Sequence, residues 1–465
     1  MCPQPRWAIL VLCLLLFGMF ALPFAFTPDA PGSTKAALRD TGLLPENLPA
    51  MQWIKLDGDP ATGPYFRRDH SGAVYLPGRQ SLLLLGADTH MVDFDNSIYE
   101  LHLADRRWTW EKHQPASPPY TLRTDASGYR IAGLEKVVPW PAHAYDGIAY
   151  DPRDESVLVT GGPRHLFFPV VGFQADPTWS YSPSTHDWRT IAADSDETPA
   201  FFATGLVYDP GRDTFIDYGA LVDQDASVGI SDEYFAARAG TWELGPDREQ
   251  WQRVTDFTPP WDRFNSIFDR RASLLLLFGG GIQDDQGIWT YRPGSSPGAT
   301  GVWEQIIPGG DECPDTYYTP AAYDTKRQIT LLLPLDRASN TNMTCLYDSR
   351  DNRYTRLWGA DLPRVGINYT LVYAEHLDLF VLLTGGFSRG LPLEIWVLRL
   401  DDTWREANAQ SSIDDPVDPV FLYVPAPRED DQLSHQPQRK QLNAEDYQQD
   451  PEQQGRPLGQ GHVEE

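Results

Sequence analysis

The chain has 465 residues, 41% hydrophobic and 12% aromatic, with 15 Trp, 37 Gly, 40 Pro and a formal net charge of −27. That charge argues against a nucleic-acid partner, whose phosphates call for a basic face. The composition is not that of a coiled coil, and only one stretch is apolar and long enough to span a bilayer.

The N-terminus carries that stretch. Arg6 precedes an uncharged run from Trp7 to Phe26, which ends at Thr27-Pro28-Asp29. Twenty helical residues rise roughly 30 Å, the thickness of a hydrocarbon core. Residues 1–26 therefore read either as a cleaved signal peptide or as a single-pass membrane anchor. Both place the remainder outside the cytoplasm, secreted or anchored. Residues 27–50 read as a linker and 51–424 as the folded body. The segment 425–465 is rich in Gln, Pro, Asp and Glu, with Tyr447 as its one aromatic residue. It buries too little apolar surface to offset its ordering entropy and is expected to be a disordered acidic tail.

Within the body one unit recurs six times. It opens on a small or apolar run ending in an aromatic residue, often followed by Asp: Tyr75, Tyr150-Asp151, Tyr208-Asp209, Phe268-Asp269, Tyr323-Asp324 and Tyr373. A short polar turn follows, then an apolar strand such as Leu82 to Gly86, Val157 to Gly162, Leu274 to Gly281 or Val381 to Gly386. After a variable loop come two further strands marked by spaced aromatics: Trp179-x-Tyr181 to Trp188, Trp242-x-Leu244 to Trp251, Leu101-x-Leu103 to Trp110 and Trp396-x-Leu398 to Trp404. Period-2 alternation marks strands, and the regular gap marks an antiparallel turn. A four-stranded unit of about 50 residues is one blade of a repeat array. Gln52 to Leu56 and Val420 to Val424 are further strand candidates. They leave two closures open, with the termini joining the ring or forming an incomplete seventh blade. Pro115 to Pro141 is an insertion too short for a blade.

These residues resemble the kelch repeat. Leu82 to Ala87, Val157 to Gly162 and Val381 to Gly386 look like its apolar strand ending in glycines, and Tyr181 to Trp188 like its tyrosine–tryptophan spacing. Arg68-Asp69-His70-Ser71 looks like its blade opening. The resemblance spans about residues 70–407 and reaches the propeller of the galactose oxidase superfamily. It implies an all-β, six-bladed kelch-like β-propeller, seven blades being the alternative. It does not extend to copper-radical chemistry. In the body the cysteines are Cys313 and Cys345, and no tyrosine immediately precedes a histidine.

In such a blade the long loops joining second to third strands share a face with the links between blades, and ligands usually bind there. That face gathers the candidate ligand-binding residues His70, His143, Arg164, His165, Arg263, Asp284 and Asp285. Cys313 and Cys345 fall on the same face and are expected to form a disulfide, as an exported chain allows. Asn342 and Asn368 head glycosylation sequons. No short ligand spacing supports a metal, and no catalytic motif or cofactor signature is found, so metal, cofactor and catalytic residues are each expected to be none. The expected function is a monomeric, extracytoplasmic protein- or glycan-binding module. A carbohydrate-active enzyme using the central pocket and a structural surface protein are the alternatives.

Overall fold

The computed structural model describes residues within 47–422, interrupted at several loops. The hydrophobic segment 1–26 and the tail 425–465 lie outside the described residues. Among the described residues no helix is long and apolar enough to cross a membrane.

Six sheets of four or five strands carry the chain, antiparallel except for the two-residue strand Gly309–Gly310, which runs parallel beside Arg353–Arg356. Sheet I consists of Gly72–Leu76, Ser81–Leu85, Ile98–His102 and Thr109–Gln114. Sheet II is built from Ile148–Asp151, Ser156–Val159, Thr178–Ser182 and Asp187–Ile191. Sheet III contains Thr204–Asp209, Thr214–Gly219, Gly240–Leu244 and Trp251–Thr255. Sheet IV follows with Asn265–Asp269, Leu274–Phe278, Ile288–Arg292 and Val302–Ile306. Ala321–Asp324, Ile329–Leu332, Cys345–Asp348 and Arg353–Arg356 form sheet V. Sheet VI takes Thr370–Ala374, Leu379–Thr384 and Glu394–Leu398 from its own stretch of chain, and its outermost strand from Trp53–Leu56.

The first strands of these sheets touch in a closed cycle, I to II to III to IV to V to VI and back to I. The cores follow the same cycle, because the second strands are buried on both faces. Leu82 and Leu84 of sheet I pack on Val381 and Leu383 of sheet VI, while Leu83 and Leu85 pack on Val157 and Val159 of sheet II. Leu158 faces Phe215 of sheet III, Ile216 faces Leu275 of sheet IV, Leu276 faces Leu332 of sheet V, and Leu331 faces Phe380 of sheet VI. Alternate side chains thus serve alternate neighbours, which is why these strands read as unbroken apolar runs.

The aromatic spacing has a polar function as well. Each outermost-strand indole needs a partner for its N–H once buried. Trp251 donates to Thr178 Oγ1 (2.7 Å), Trp303 to Thr241 Oγ1 (2.9 Å) and Trp53 to Thr344 Oγ1 (2.9 Å), each in the preceding sheet. Trp188 donates to Gln114 Oε1 of sheet I. The Asp after the opening aromatic organises its own turn: Asp209 accepts from Gly211 N–H, and Asp324 from Lys326 and Arg327 N–H. Each first-to-second turn then places one non-glycine residue at positive φ, namely Gln80, Glu155, Asp213, Ser273, Gln328 and Asp378.

Four readings change. Trp53 lies opposite Leu398, so the N-terminal strand closes sheet VI, and Thr403-Trp404-Arg405 does not supply that strand. Trp404 is instead a buried anchor between sheets V and VI. Ala50 bridges Arg399 and Leu48 is buried, so the folded body begins inside the expected linker. In sheet I Leu101 is the residue opposite Trp110, as Tyr181 is opposite Trp188, so the equivalent spaced pair is Tyr99-x-Leu101, two residues earlier than read. Phe421–Leu422 does form a strand, but it extends sheet IV beside Gln305 and Ile306.

The insertion folds into a small sheet of Arg123–Thr124, Arg130–Ala132 and Val138–Pro139, and Trp140 rests with it against Trp188. A second small sheet, Leu335–Asp336, Thr341–Asn342 and Leu362–Pro363, lies beside sheet V. Asn342 is buried in it; its amide donates to Leu333 O and accepts from Val365 N–H. The Asn342 sequon thus presents a buried side chain that is hydrogen-bonded at both ends. Asn368 lies outside the described residues.

Cys313 and Cys345 are bonded, with Cα atoms 6.4 Å apart and a sequence separation of 32. Replacing both with Ser is expected to destabilise the protein by about 3–4 kcal/mol, the loop-closure effect for a loop of this length, measured as a lower urea midpoint. The disulfide fits an oxidising, extracellular environment.

Candidate functional site

The two ends of the sheets differ in the polar groups they carry. At the end bearing the short first-to-second turns, buried carboxylates are matched by arginines. Arg212 joins Asp209 and Glu243 within sheet III, and Arg248 reaches back to Asp151 of sheet II. Arg271 of sheet IV pairs with Asp348 of sheet V, and Arg327 of sheet V with Asp324 and with Asp378 of sheet VI. Three of these pairs, Arg248–Asp151, Arg271–Asp348 and Arg327–Asp378, cross from sheet to sheet and have the character of fastenings.

At the opposite end, where the first strands begin, a belt of polar side chains crosses between sheets that are not neighbours. Asp146 stands just ahead of the first strand of sheet II, and its carbonyl accepts from Leu206 N–H of sheet III (2.8 Å). Its carboxylate Oδ2 accepts from the Ser266 N–H of sheet IV at 2.7 Å, passing over sheet III. The neighbouring Asn265 donates through Nδ2 to Thr319 O, ahead of sheet V, and to the Tyr369 hydroxyl, ahead of sheet VI (2.6 Å). Because the first strands form a closed cycle, contacts that skip a sheet run across its middle.

Burial pushes the Asp146 carboxyl up to about 7, the Ser266 N–H pulling partly the other way. Among the described residues its carboxylate has this one hydrogen bond, and a carboxyl held near 7 is about half protonated at neutrality. Two hydroxyls at the heads of first strands, Ser266 Oγ in sheet IV and Thr370 Oγ1 in sheet VI, have no hydrogen-bond partner among the described residues. Buried hydroxyls are normally satisfied by protein or by ordered water. This belt can therefore donate, accept and exchange a proton, and its hydrogen-bonding capacity is not used up internally.

The seven residues expected to bind ligand, His70, His143, Arg164, His165, Arg263, Asp284 and Asp285, lie outside the described residues. In sequence, His70, His143 and Arg263 stand just upstream of Ser71, Asp146 and Asn265. Sequence reading passed over Asp146, Asn265, Ser266, Tyr369 and Thr370. The available signal was a polar residue at the head of an otherwise apolar first strand, as in Asn265-Ser266-Ile267-Phe268. The bonded Cys313 and Cys345 leave neither thiol free for a thioether to tyrosine, in line with the absence of copper-radical residues from the sequence.

No family model matches the chain, and no curated protein matches it. Among solved structures it is similar to a fungal alcohol oxidase of the AA5 family in complex with copper, at 14% identity and a TM-score of 0.36, covering 72% of this chain and 75% of that one. It is also similar to a protein of unknown function from Dyadobacter fermentans, at 10% identity and a TM-score of 0.41, covering 73% of this chain and 96% of that one. These values concern the course of the chain and carry nothing about its chemistry.

Proposed function

We propose that this chain is an exported six-bladed β-propeller of the kelch type that binds a glycan at the axial mouth where its first strands begin. The six sheets are its blades, and the N-terminal strand completes the last of them. The cyclic order of the inter-sheet cores and the borrowed strand support that architecture, and the disulfide supports export.

One observation carries the functional reading. The belt of Asp146, Ser266, Asn265 and Tyr369 spans the middle of the ring, with the Ser266 and Thr370 hydroxyls left unpaired among the described residues. A ligand rich in hydroxyls matches a surface that offers both donors and acceptors. Long loops enter at the same end of the chain's strands, as binding loops on rigid scaffolds do. The near-neutral titration of Asp146 favours a second reading, a carbohydrate-active enzyme with this carboxyl as proton donor or acceptor.

Glycan-array binding by the full-length chain tests the proposal, alongside the variants Asp146→Asn, Tyr369→Phe and Asp284→Ala/Asp285→Ala. Selective binding that weakens in these variants is the expected result. A blank array removes the glycan reading, whereas turnover of a bound glycan that stops in Asp146→Asn replaces binding with catalysis.

A further inference from the structure

A second polar cluster lies far from the axis, in the seam between the outer strands of sheets I and II. Glu111 and His113 stand two apart on the outermost strand of sheet I, so both side chains emerge on one face. His186 comes from the turn joining the third and fourth strands of sheet II, held at φ 59° with its N–H donating to Ser182 O. One ligand atom from each of Glu111, His113 and His186 lies within 4.8 Å of the others. The His113 and His186 rings stack at 3.9 Å.

The surroundings are those of a coordination site. The His113 side chain is fully buried, and its Nε2 is 2.8 Å from Glu100 Oε2 but makes no hydrogen bond. Its Nδ1 is 3.0 Å from the Tyr181 hydroxyl. His102 adds a 2.9 Å contact to Glu111, and Glu100, His102 and Glu111 are themselves close enough to share an ion.

We propose that Glu111, His113 and His186 bind a divalent transition metal of the zinc class, clasping sheet I to sheet II at the rim of the ring. Two imidazoles and a carboxylate suit zinc, whose bonds to such atoms are about 2.0–2.2 Å, so binding draws the donors together and turns the His186 ring out of its stack on His113. With Glu100 as the outer carboxylate on His113 Nε2, His113 ligates through Nδ1, which exchanges its Tyr181 hydroxyl contact for the metal. The Glu111-x-His113 spacing was in the sequence, but its third ligand is supplied by the neighbouring sheet.

The test is calorimetric titration of Zn(II) into the full-length chain without a polyhistidine tag, with Co(II) as a visible-absorbing substitute. The expected result is one ion per chain, a cobalt d–d band, and a higher melting temperature with metal than with chelator. Affinity should fall at least ~tenfold in His186→Ala and in Glu111→Gln, and remain unchanged in His376→Ala, a histidine of sheet VI. His186 sits on a partly exposed turn, and both variants should melt like the wild type in chelator. Wild-type protein that takes up no zinc would overturn the assignment without reference to any variant. Full-strength binding in both His186→Ala and Glu111→Gln would overturn it equally.

Discussion

Asp146→Asn is expected to stabilise the protein at pH 8 and to leave it unchanged at pH 4. The folded state raises this carboxyl from 3.8 to about 7, so the fold favours the protonated form. Below the ordinary aspartate range both folded and unfolded states are protonated, and the group has no effect. As pH rises, the unfolded chain ionises first and is stabilised relative to the fold. Wild-type stability therefore falls between about pH 4 and pH 7 and levels off above that window. A displacement of about three pH units corresponds to on the order of 4 kcal/mol. Asparagine keeps the shape and, through Oδ1, the acceptor for the Ser266 N–H, but it cannot ionise. Urea midpoints of the two proteins at pH 4, 6 and 8 should diverge with increasing pH. Parallel midpoints would mean that the Asp146 carboxylate is well hydrated and that the axial belt is not enclosed.

Glu100→Gln is the second substitution with a large expected effect, in the opposite direction. Glu100 is fully buried, and burial alone would raise its carboxyl. The contacts from His113, Arg79 and Ser81 outweigh that effect and hold it well below the usual range. Arg79 binds it through two parallel hydrogen bonds of 2.8 and 2.7 Å, and Ser81 Oγ donates to the same carboxylate. Glutamine removes the charge and turns an amide toward those donors. Removing one partner of a buried ion pair costs about 3–5 kcal/mol. Arg79 is one-third exposed, so water can rescue it in part and the lower end is expected. The double variant Arg79→Met/Glu100→Gln should recover some of the loss, because no guanidinium is then stranded. Denaturant unfolding at pH 7 measures both. An unaltered midpoint in Glu100→Gln would show that this carboxylate is not what holds the turn of sheet I in place.

Much of the fold was legible because packing writes itself into alternation. The runs Leu82–Leu85 and Leu274–Phe278 are continuous because each residue has a neighbouring sheet on its own side, and the spaced aromatics recur because each must reach the preceding sheet. The two-residue slip in sheet I follows from the same periodicity. Moving from Tyr99-x-Leu101 to Leu101-x-Leu103 keeps every side chain on its face, so alternation cannot tell the two registers apart. Ring closure was left open between two solutions because pairing of Trp53 with Leu398 joins opposite ends of the chain. Trp404, at nearly the right interval, offered a local substitute. The polar sites were less readable for a related reason. Asp146 is unremarkable beside Gly147, and His186 looks like any turn residue. Each acquires its meaning from a group on another sheet, Ser266 in one case and His113 in the other. The sequon at Asn342 shows the converse, a local pattern whose side chain the fold has already used.

The central claim is that the N-terminal strand completes the last sheet and so closes the ring. Lys55 and Trp396 lie directly opposite one another across that pairing. The variant Lys55→Cys/Trp396→Cys, oxidised and digested, should yield one cross-linked peptide joining these two positions within a single chain, with the Cys313–Cys345 bond intact. Free thiols at both positions, or a cross-link only between separate chains, would contradict a ring closed by its own N-terminus.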